Sequence, residues 1–158
     1  MPAQPFPIRS VLRTGFIVGC LDAIAASVYS YALSGVMPDR VFRYVASGVF
    51  GAEAFRGGWG TAAMGLLFHF IVATGWTAIF YFLYARVNLA SMNKCVVGIG
   101  YGIVIWLMMN FLVVPISNVP PSAFHFTWRS MIMIAIHMFV IGVPISYLTG
   151  RHYSQQAK

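Results

Sequence analysis

The chain has 158 residues, of which only 8% are charged and 59% are hydrophobic, and its mean hydropathy is +0.79. Because a soluble domain carries about 25% charged residues, this composition excludes a disordered chain, a disulfide scaffold, a coiled coil and nearly every water-soluble fold. The net charge of +7 comes from basic residues that stand singly at the ends of apolar runs, which is typical of membrane anchors and excludes a nucleic-acid-binding patch.

Four long apolar stretches follow one another along the chain. Each is long enough to cross a hydrocarbon core of about 30 Å, which takes roughly 20 helical residues. Backbone groups in lipid must be hydrogen-bonded within their own segment, so each stretch is predicted to be an α-helix. The predicted spans are residues 14–36, 59–85, 95–116 and 130–149. The sequence therefore predicts an all-α fold, with residues 1–158 forming a single integral membrane domain, a four-helix transmembrane bundle.

The first span follows two arginines, as the apolar region of a signal peptide does. Only about six residues separate Arg13 from Cys20, whereas the apolar region of a signal peptide has about 7–15. We therefore expect a retained helix. Cys20 and Cys95 both lie inside apolar spans, where we expect them to act as small packing residues and not as a disulfide or a metal site.

The connection between the first and second spans, residues 37–58, is longer than a tight loop. Within it Val41, Phe42, Val45 and Val49 share one face at helical spacing, which predicts a short amphipathic helix at the outer membrane interface. Two interpretations of this helix remain open: a lid or spacer packed on the bundle, or a gate over a pore entrance.

The distribution of basic residues predicts that both termini are cytoplasmic, because cytoplasmic segments carry an excess of lysine and arginine. The predicted inner side carries Arg9, Arg13, Arg86, Lys94, Arg151 and Lys158, and the predicted outer side carries Arg40, Arg43, Arg56 and Arg129. Two further histidines, His125 and His152, fall outside the spans, and we expect them to be interfacial or solvated.

Small residues recur at helical spacing in three of the spans. Such stripes let two helix backbones approach closely in lipid, so they predict helix packing and no more specific function. The predicted packing positions are Gly15, Gly19 and Ala23 in the first span, Gly65 in the second, and Gly98 and Gly102 in the third.

Four polar side chains lie within the spans: Asp22, His69, Asn110 and His137. With a rise of about 1.5 Å per residue, the two histidines and Asn110 fall in one layer, and Asp22 falls roughly 7–9 Å closer to the cytoplasm. Asp22 shares the helix face of Gly19, so its side chain is expected to point into protein and not into lipid. The sequence therefore predicts a buried polar cluster.

Three interpretations of this cluster remain open. An aspartate inside a membrane costs about 2.5–3.5 kcal/mol on insertion scales and often marks a proton or ion pathway, in which Asp22 would titrate and the histidines would relay protons. Alternatively, the cluster is a hydrogen-bonded network that fixes helix register. In the third interpretation His69 and His137 are the axial ligands of haem b, with Gly65 making room for the ring. No other metal or cofactor is predicted.

The sequence contains no P-loop, H-E-x-x-H or G-x-S-x-G motif, so neither enzymatic activity nor a catalytic residue is predicted. A single bundle of this length leaves little volume for a substrate cavity. The function expected first is a structural or accessory membrane subunit, in a homo-oligomer or a larger membrane complex. The alternative is a small transporter, channel or proton-handling module that uses Asp22, His69 and His137.

Three stretches carry a resemblance to a known family: residues 45–55 (VASGVFGAEAF), 65–70 (GLLFHF) and 113–120 (VVPISNVP). Together with His137 in the last span, they resemble the YagU-like group of small bacterial inner-membrane proteins. The resemblance covers about residues 14–151 and implies a multi-pass protein of the bacterial inner membrane with a histidine in the second span. It implies no activity and no catalytic residue, and the first outer loop is shorter here than in the longer members.

Overall fold

The computed structural model describes residues 6–87, 89–121 and 125–156, and these ranges are all-α. Short 3-10 turns connect the second helix to the third and the third to the fourth. The five helices are α1 (Ile8–Ser34), α2 (Pro38–Phe50), α3 (Gly58–Arg86), α4 (Lys94–Ile116) and α5 (Trp128–Gln156).

The four long helices, α1, α3, α4 and α5, are those expected from hydropathy, and each is long and apolar enough to cross a membrane. Helices α3 and α4 begin and end within one residue of the predicted spans. By contrast, α1 begins at Ile8 instead of residue 14, and α5 continues to Gln156 instead of ending at residue 149. Apolar windows mark only the part of a helix in hydrocarbon, whereas its backbone hydrogen bonds continue into the interface. The chain is a multi-pass membrane protein.

Hydrogen bonds at the two ends of the bundle fix the direction of α5 relative to α1. At one end Ser10 of α1 shares a 3.0 Å hydrogen bond with His152 of α5. At the other end the Arg129 guanidinium of α5 donates to the Leu33 carbonyl of α1 at 3.2 Å. The two helices are therefore antiparallel, and the start of α1 lies on the same side of the bundle as the end of α5.

The short helix α2 forms for local reasons. Pro38 occupies its first turn, where the missing N–H costs no hydrogen bond. The side chains of Asp39 and Arg43, one turn apart, form an ion pair. Gly51 ends the helix with a φ of 61°, a left-handed conformation that favours glycine, and turns the chain toward α3.

Helix α2 packs on the bundle, as expected for a lid or spacer. A β-carbon on Gly65 of α3 would collide with the backbone carbonyl of Phe42, and Ala46 on the same face of α2 is fully buried. The other end of α2 is held by Asn118, whose backbone N–H donates to the Gly48 carbonyl at 3.0 Å. Gly65 therefore brings α3 close to α2, and the gate interpretation stays a prediction.

The long helices form two closely packed pairs, α1 with α3 and α4 with α5. In the first pair a β-carbon on Gly15 would lie 2.9 Å from the α-carbon of Thr74. In the second, a β-carbon on Gly102 would lie 2.6 Å from the α-carbon of Met138. Real β-carbons do not approach so closely, so only glycine permits these distances. Gly19, Ala23 and Gly98 lie along the same two contacts.

Aromatic side chains connect the two pairs. The rings of Phe80 on α3 and Tyr101 on α4 pack with their centroids 4.6 Å apart. The Tyr101 hydroxyl donates a 2.6 Å hydrogen bond to the Trp76 carbonyl. Phe80, Ile105 and Ile145 are among the least exposed apolar residues of the core. Because these rings lie between α3 and α4, the two helix pairs are farther apart than the helices within each pair, and space remains between the pairs.

The contact at Gly102 predicts a stability difference between two otherwise similar substitutions. Gly102→Ala should lower the free energy of unfolding by about 1–3 kcal/mol, because the added methyl group forces α4 away from α5. Gly100→Ala is the matched control, since it lies on the same helix and a β-carbon there has no neighbour within 4 Å. Denaturation in detergent micelles measures both values, and equal stabilities would contradict this packing.

Candidate functional site

A cavity of about 70 Å³, here called the central cavity, lies between the two helix pairs. Its polar walls are Asp22 of α1, His69 of α3 and His137 of α5, which are three of the four residues of the predicted cluster. Since one buried water occupies about 10–15 Å³ on this measure, the cavity has room for a few waters. The remaining walls are formed by Val18, Val72, Ala73, Trp76, Ile105, Met109 and Ile141.

Asp22 and His69 are direct neighbours. The carboxylate Oδ2 of Asp22 lies 3.9 Å from Nε2 of His69. The two side chains therefore extend toward each other across the difference in depth that helix rise predicts for their backbones. The same Nε2 lies 3.0 Å from the Gly19 carbonyl oxygen. Because a carbonyl only accepts, Nε2 carries a proton and donates it, and the neutral ring keeps its lone pair on Nδ1. A second proton on His69 would place a positive charge beside Asp22.

His137 is oriented by its own helix. Its Nδ1 lies 2.8 Å from the Met133 carbonyl, so Nδ1 donates, and Nε2 of the neutral ring is left as a hydrogen-bond acceptor. His137 is also the first residue of a π-helical segment, His137–Gly142, in which Gly142 packs on Gly102. Such segments widen one turn of a helix and are frequent at functional sites.

Asn110 is the member of the predicted cluster that does not line the central cavity. Its side-chain amide donates a 2.9 Å hydrogen bond to the Trp106 carbonyl of its own helix. Asn110 lies in a second π-helical segment, Met109–Val113, and the neighbouring Met109 contributes to the cavity wall. A π turn holds more residues than an α turn, so side-chain directions deduced from a period of 3.6 do not apply there.

The Asp22 carboxylate has no hydrogen bond to any residue in the described part of the chain, and it forms an ion pair with His69, 3.9 Å away, only when that ring carries a second proton. Its side chain is 21% exposed. A carboxylate without hydrogen bonds is costly in an apolar interior, so it must be hydrated, paired with a charged histidine or protonated. The central cavity provides space for water that can hydrate the carboxylate and carry protons to and from it.

The residues around the central cavity do not fit a haem ring in this arrangement. The space beside Gly65 that a ring would need is occupied by the backbone of Phe42. The cavity of about 70 Å³ is also far below the roughly 300–1,000 Å³ of ordinary ligand sites. Haem ligation by His69 and His137 stays a prediction that would require the helices to separate. Within the described residues no three His, Cys, Asp or Glu side chains are grouped to hold a metal ion.

Packed side chains flank the central cavity along the bundle. On the side of α2 the ring of Phe42 meets His69 edge-on, with centroids 6.3 Å apart. The Trp76 indole donates to the sulfur of Met109 at 3.4 Å and joins α3 to α4. Toward the chain ends, Val18 and Thr77 are fully buried. Protein side chains therefore surround much of the cavity, few of them polar.

Comparison with family models, with curated proteins and with solved structures finds no match to this chain. The resemblance to the YagU-like group therefore stays a prediction.

Proposed function

We propose that this protein handles protons inside the membrane, with Asp22 as the group that binds and releases a proton. The observation that carries the proposal is the 3.9 Å approach of Asp22 to His69 beside a cavity that His137 also lines. In this proposal His69 and His137 pass protons to and from Asp22 through water in the central cavity. This is the transport alternative of the sequence analysis, in its proton-handling form.

The absence of hydrogen bonds from the described residues to the Asp22 carboxylate favours a role in proton exchange, compared with a role in a purely structural network. A network that only fixes helix register gains most when every polar group is hydrogen-bonded. Here each histidine donates a hydrogen bond from one ring nitrogen to a backbone carbonyl, and the carboxylate receives no hydrogen bond from the described residues. A carboxylate held this loosely can change its protonation state without breaking a hydrogen bond to protein.

Buried hydroxyl groups support a route for protons from the central cavity toward the chain ends. Ser146 and Thr149 are fully buried, and their hydroxyl oxygens have no hydrogen-bond partner among the described residues. Along α5 they lie between Ile141, which lines the central cavity, and Arg151, which lines a second cavity near the chain ends. Hydroxyls without partners at this position can bind transient waters.

Proton flux into liposomes tests the proposal. Vesicles that contain the protein should take up protons faster than empty vesicles when a pH gradient and a counter-ion leak are imposed, as followed by an internal pH dye. Asp22→Asn should reduce this flux at least tenfold, because an amide has the same shape but carries no exchangeable acid proton.

The matched control is Glu53→Gln, which makes the same chemical change at an exposed carboxylate paired with Arg56 at 3.1 Å. Its flux should equal that of the unaltered protein. Flux that survives Asp22→Asn would contradict the role of Asp22. No flux above empty vesicles would contradict proton handling altogether and favour the structural or accessory role.

We further propose that the protein works in a larger assembly, as a homo-oligomer or as an accessory subunit of a membrane complex. The small central cavity supports this proposal, because it holds a few waters and no larger substrate. A location in the bacterial inner membrane is proposed on the resemblance to the YagU-like group alone.

Both chain ends are proposed to face the cytoplasm, on the excess of basic residues at that end of the bundle. Single cysteines in a Cys20→Ala, Cys95→Ala background test this orientation. Gln156→Cys at the end of α5 should react with a membrane-impermeant maleimide only after cells are permeabilised, whereas Glu53→Cys should react in intact cells. The reverse pattern would contradict the proposed orientation.

A further inference from the structure

A second cavity, here called the cationic cavity, lies where α1 begins and α5 ends. Its volume is about 220 Å³, three times that of the central cavity. Polar groups from three helices line it: Ser10, Arg13 and Thr14 of α1, Tyr81 of α3, and Arg151, His152 and Gln155 of α5. These residues are up to 142 positions apart in sequence, and only the antiparallel packing of α1 and α5 brings them together.

Neither guanidinium in the cationic cavity has a counter-ion among the described residues. Arg13 and Arg151 form no hydrogen bond or ion pair with any described residue. The whole chain has only three Asp and Glu residues, so few partners exist. All three are engaged elsewhere: Asp39 with Arg43, Glu53 with Arg56, and Asp22 with His69. No described residue therefore neutralises the positive charge of this cavity, so it is open to an anionic ligand.

His152 adds a buried polar atom that awaits a partner. Its Nδ1 shares a 3.0 Å hydrogen bond with the Ser10 hydroxyl, while its Nε2 is buried without a partner in the described part of the chain. If Ser10 donates to Nδ1, then Nε2 carries the proton and becomes a donor. An unmet buried donor costs about 1–3 kcal/mol, which a ligand oxygen would remove. We expected His152 to be interfacial or solvated, and its side chain is half-buried at the end of α5.

A pair of hydroxyl groups completes the polar lining. The Thr14 hydroxyl and the buried Tyr81 hydroxyl lie 3.0 Å apart and share one hydrogen bond. One of the two protons makes that bond, and the other remains free to donate. The cavity thus presents two guanidinium groups, one imidazole, one hydroxyl and the Gln155 amide as donors, with no carboxylate among its lining residues.

We propose that the cationic cavity binds a phosphate group. Guanidinium forks match the geometry of phosphate oxygens and bind them more strongly than neutral donors do. The cavity lies at the end of two spans, and basic pockets between membrane helices hold anionic headgroups at this depth. Ile17 and Leu148 add apolar walls along which an acyl chain can continue. The phosphate comes either from an anionic phospholipid or from free inorganic phosphate, and its binding does not require that Asp22 handles protons.

Native mass spectrometry of the delipidated full chain in detergent tests this site. Phosphatidylglycerol should bind at least tenfold more tightly than phosphatidylcholine with the same acyl chains. The double variant Arg13→Gln, Arg151→Gln should lose this preference, because each charge-assisted hydrogen bond accounts for about tenfold or more in affinity. His152→Gln should weaken binding by a smaller factor, since its amide can still donate.

The matched control is Arg86→Gln, Lys94→Gln, which removes the same charge at the same end of the bundle from residues that do not line the cavity. Its preference for phosphatidylglycerol should stay within about twofold of the unaltered protein. Equal losses in the two double variants would overturn the proposal, because they would indicate general surface attraction. Unchanged elution volume and melting temperature confirm that each variant is folded.

Isothermal titration with inorganic phosphate, in detergent and without lipid, distinguishes the source of the ligand. Saturable binding that Arg13→Gln, Arg151→Gln removes, without a preference for phosphatidylglycerol, would assign the site to free phosphate. A lipid preference without phosphate binding would assign it to a headgroup. The absence of both in the unaltered protein would overturn the proposal.

Discussion

The arrangement of this bundle depends on one carboxylate that lies within a membrane span. Of the three acidic side chains, Asp39 and Glu53 are paired with arginines outside the long apolar stretches, and Asp22 alone lies inside one. Its charge cannot face lipid at an acceptable cost, so α1 must turn this face toward protein. The small residues on that face allow α3 to approach and bring His69 beside Asp22.

The central cavity follows from how the four long helices are spaced. Glycine contacts hold α1 against α3 and α4 against α5 at backbone distance, whereas the rings of Phe80 and Tyr101 separate α3 from α4. Space therefore remains between the two pairs, and the π-helical segment that begins at His137 widens α5 at the same level. Polar side chains from three helices meet in that space. Small residues within each pair and large rings between the pairs therefore produce both the close packing and the space for the polar site.

Much of this structure could be predicted from the sequence, because a bilayer imposes simple rules on helix length and charge. The four long helices, the short α2 and the facing of Asp22 toward protein follow from hydropathy and helical period. The position of Asn110 did not follow, because a π turn changes the side-chain directions. The partner of Gly65 was also missed, since spacing predicts that a backbone approaches but not that it belongs to α2.

The cationic cavity could not be predicted for a different reason. Arg13 and Arg151 each match the pattern of an interfacial anchor, and nothing local to either residue indicates that the two share a cavity. Only the chain-wide count of carboxylates gave a signal, since three acidic residues cannot neutralise ten basic ones. The contact between Ser10 and His152 holds α1 and α5 antiparallel, and this places Arg13 and Arg151 in the same cavity.

The claim that Asp22 exchanges a proton can be tested most directly by infrared difference spectroscopy of the protein in lipid vesicles. A change in pH should produce a carbonyl band of a protonated carboxylic acid, and its intensity should rise as the pH falls. Asp22→Asn should remove this band, whereas Glu53→Gln should retain it. A spectrum in which Asp22→Asn leaves every carboxyl band unchanged would contradict the account.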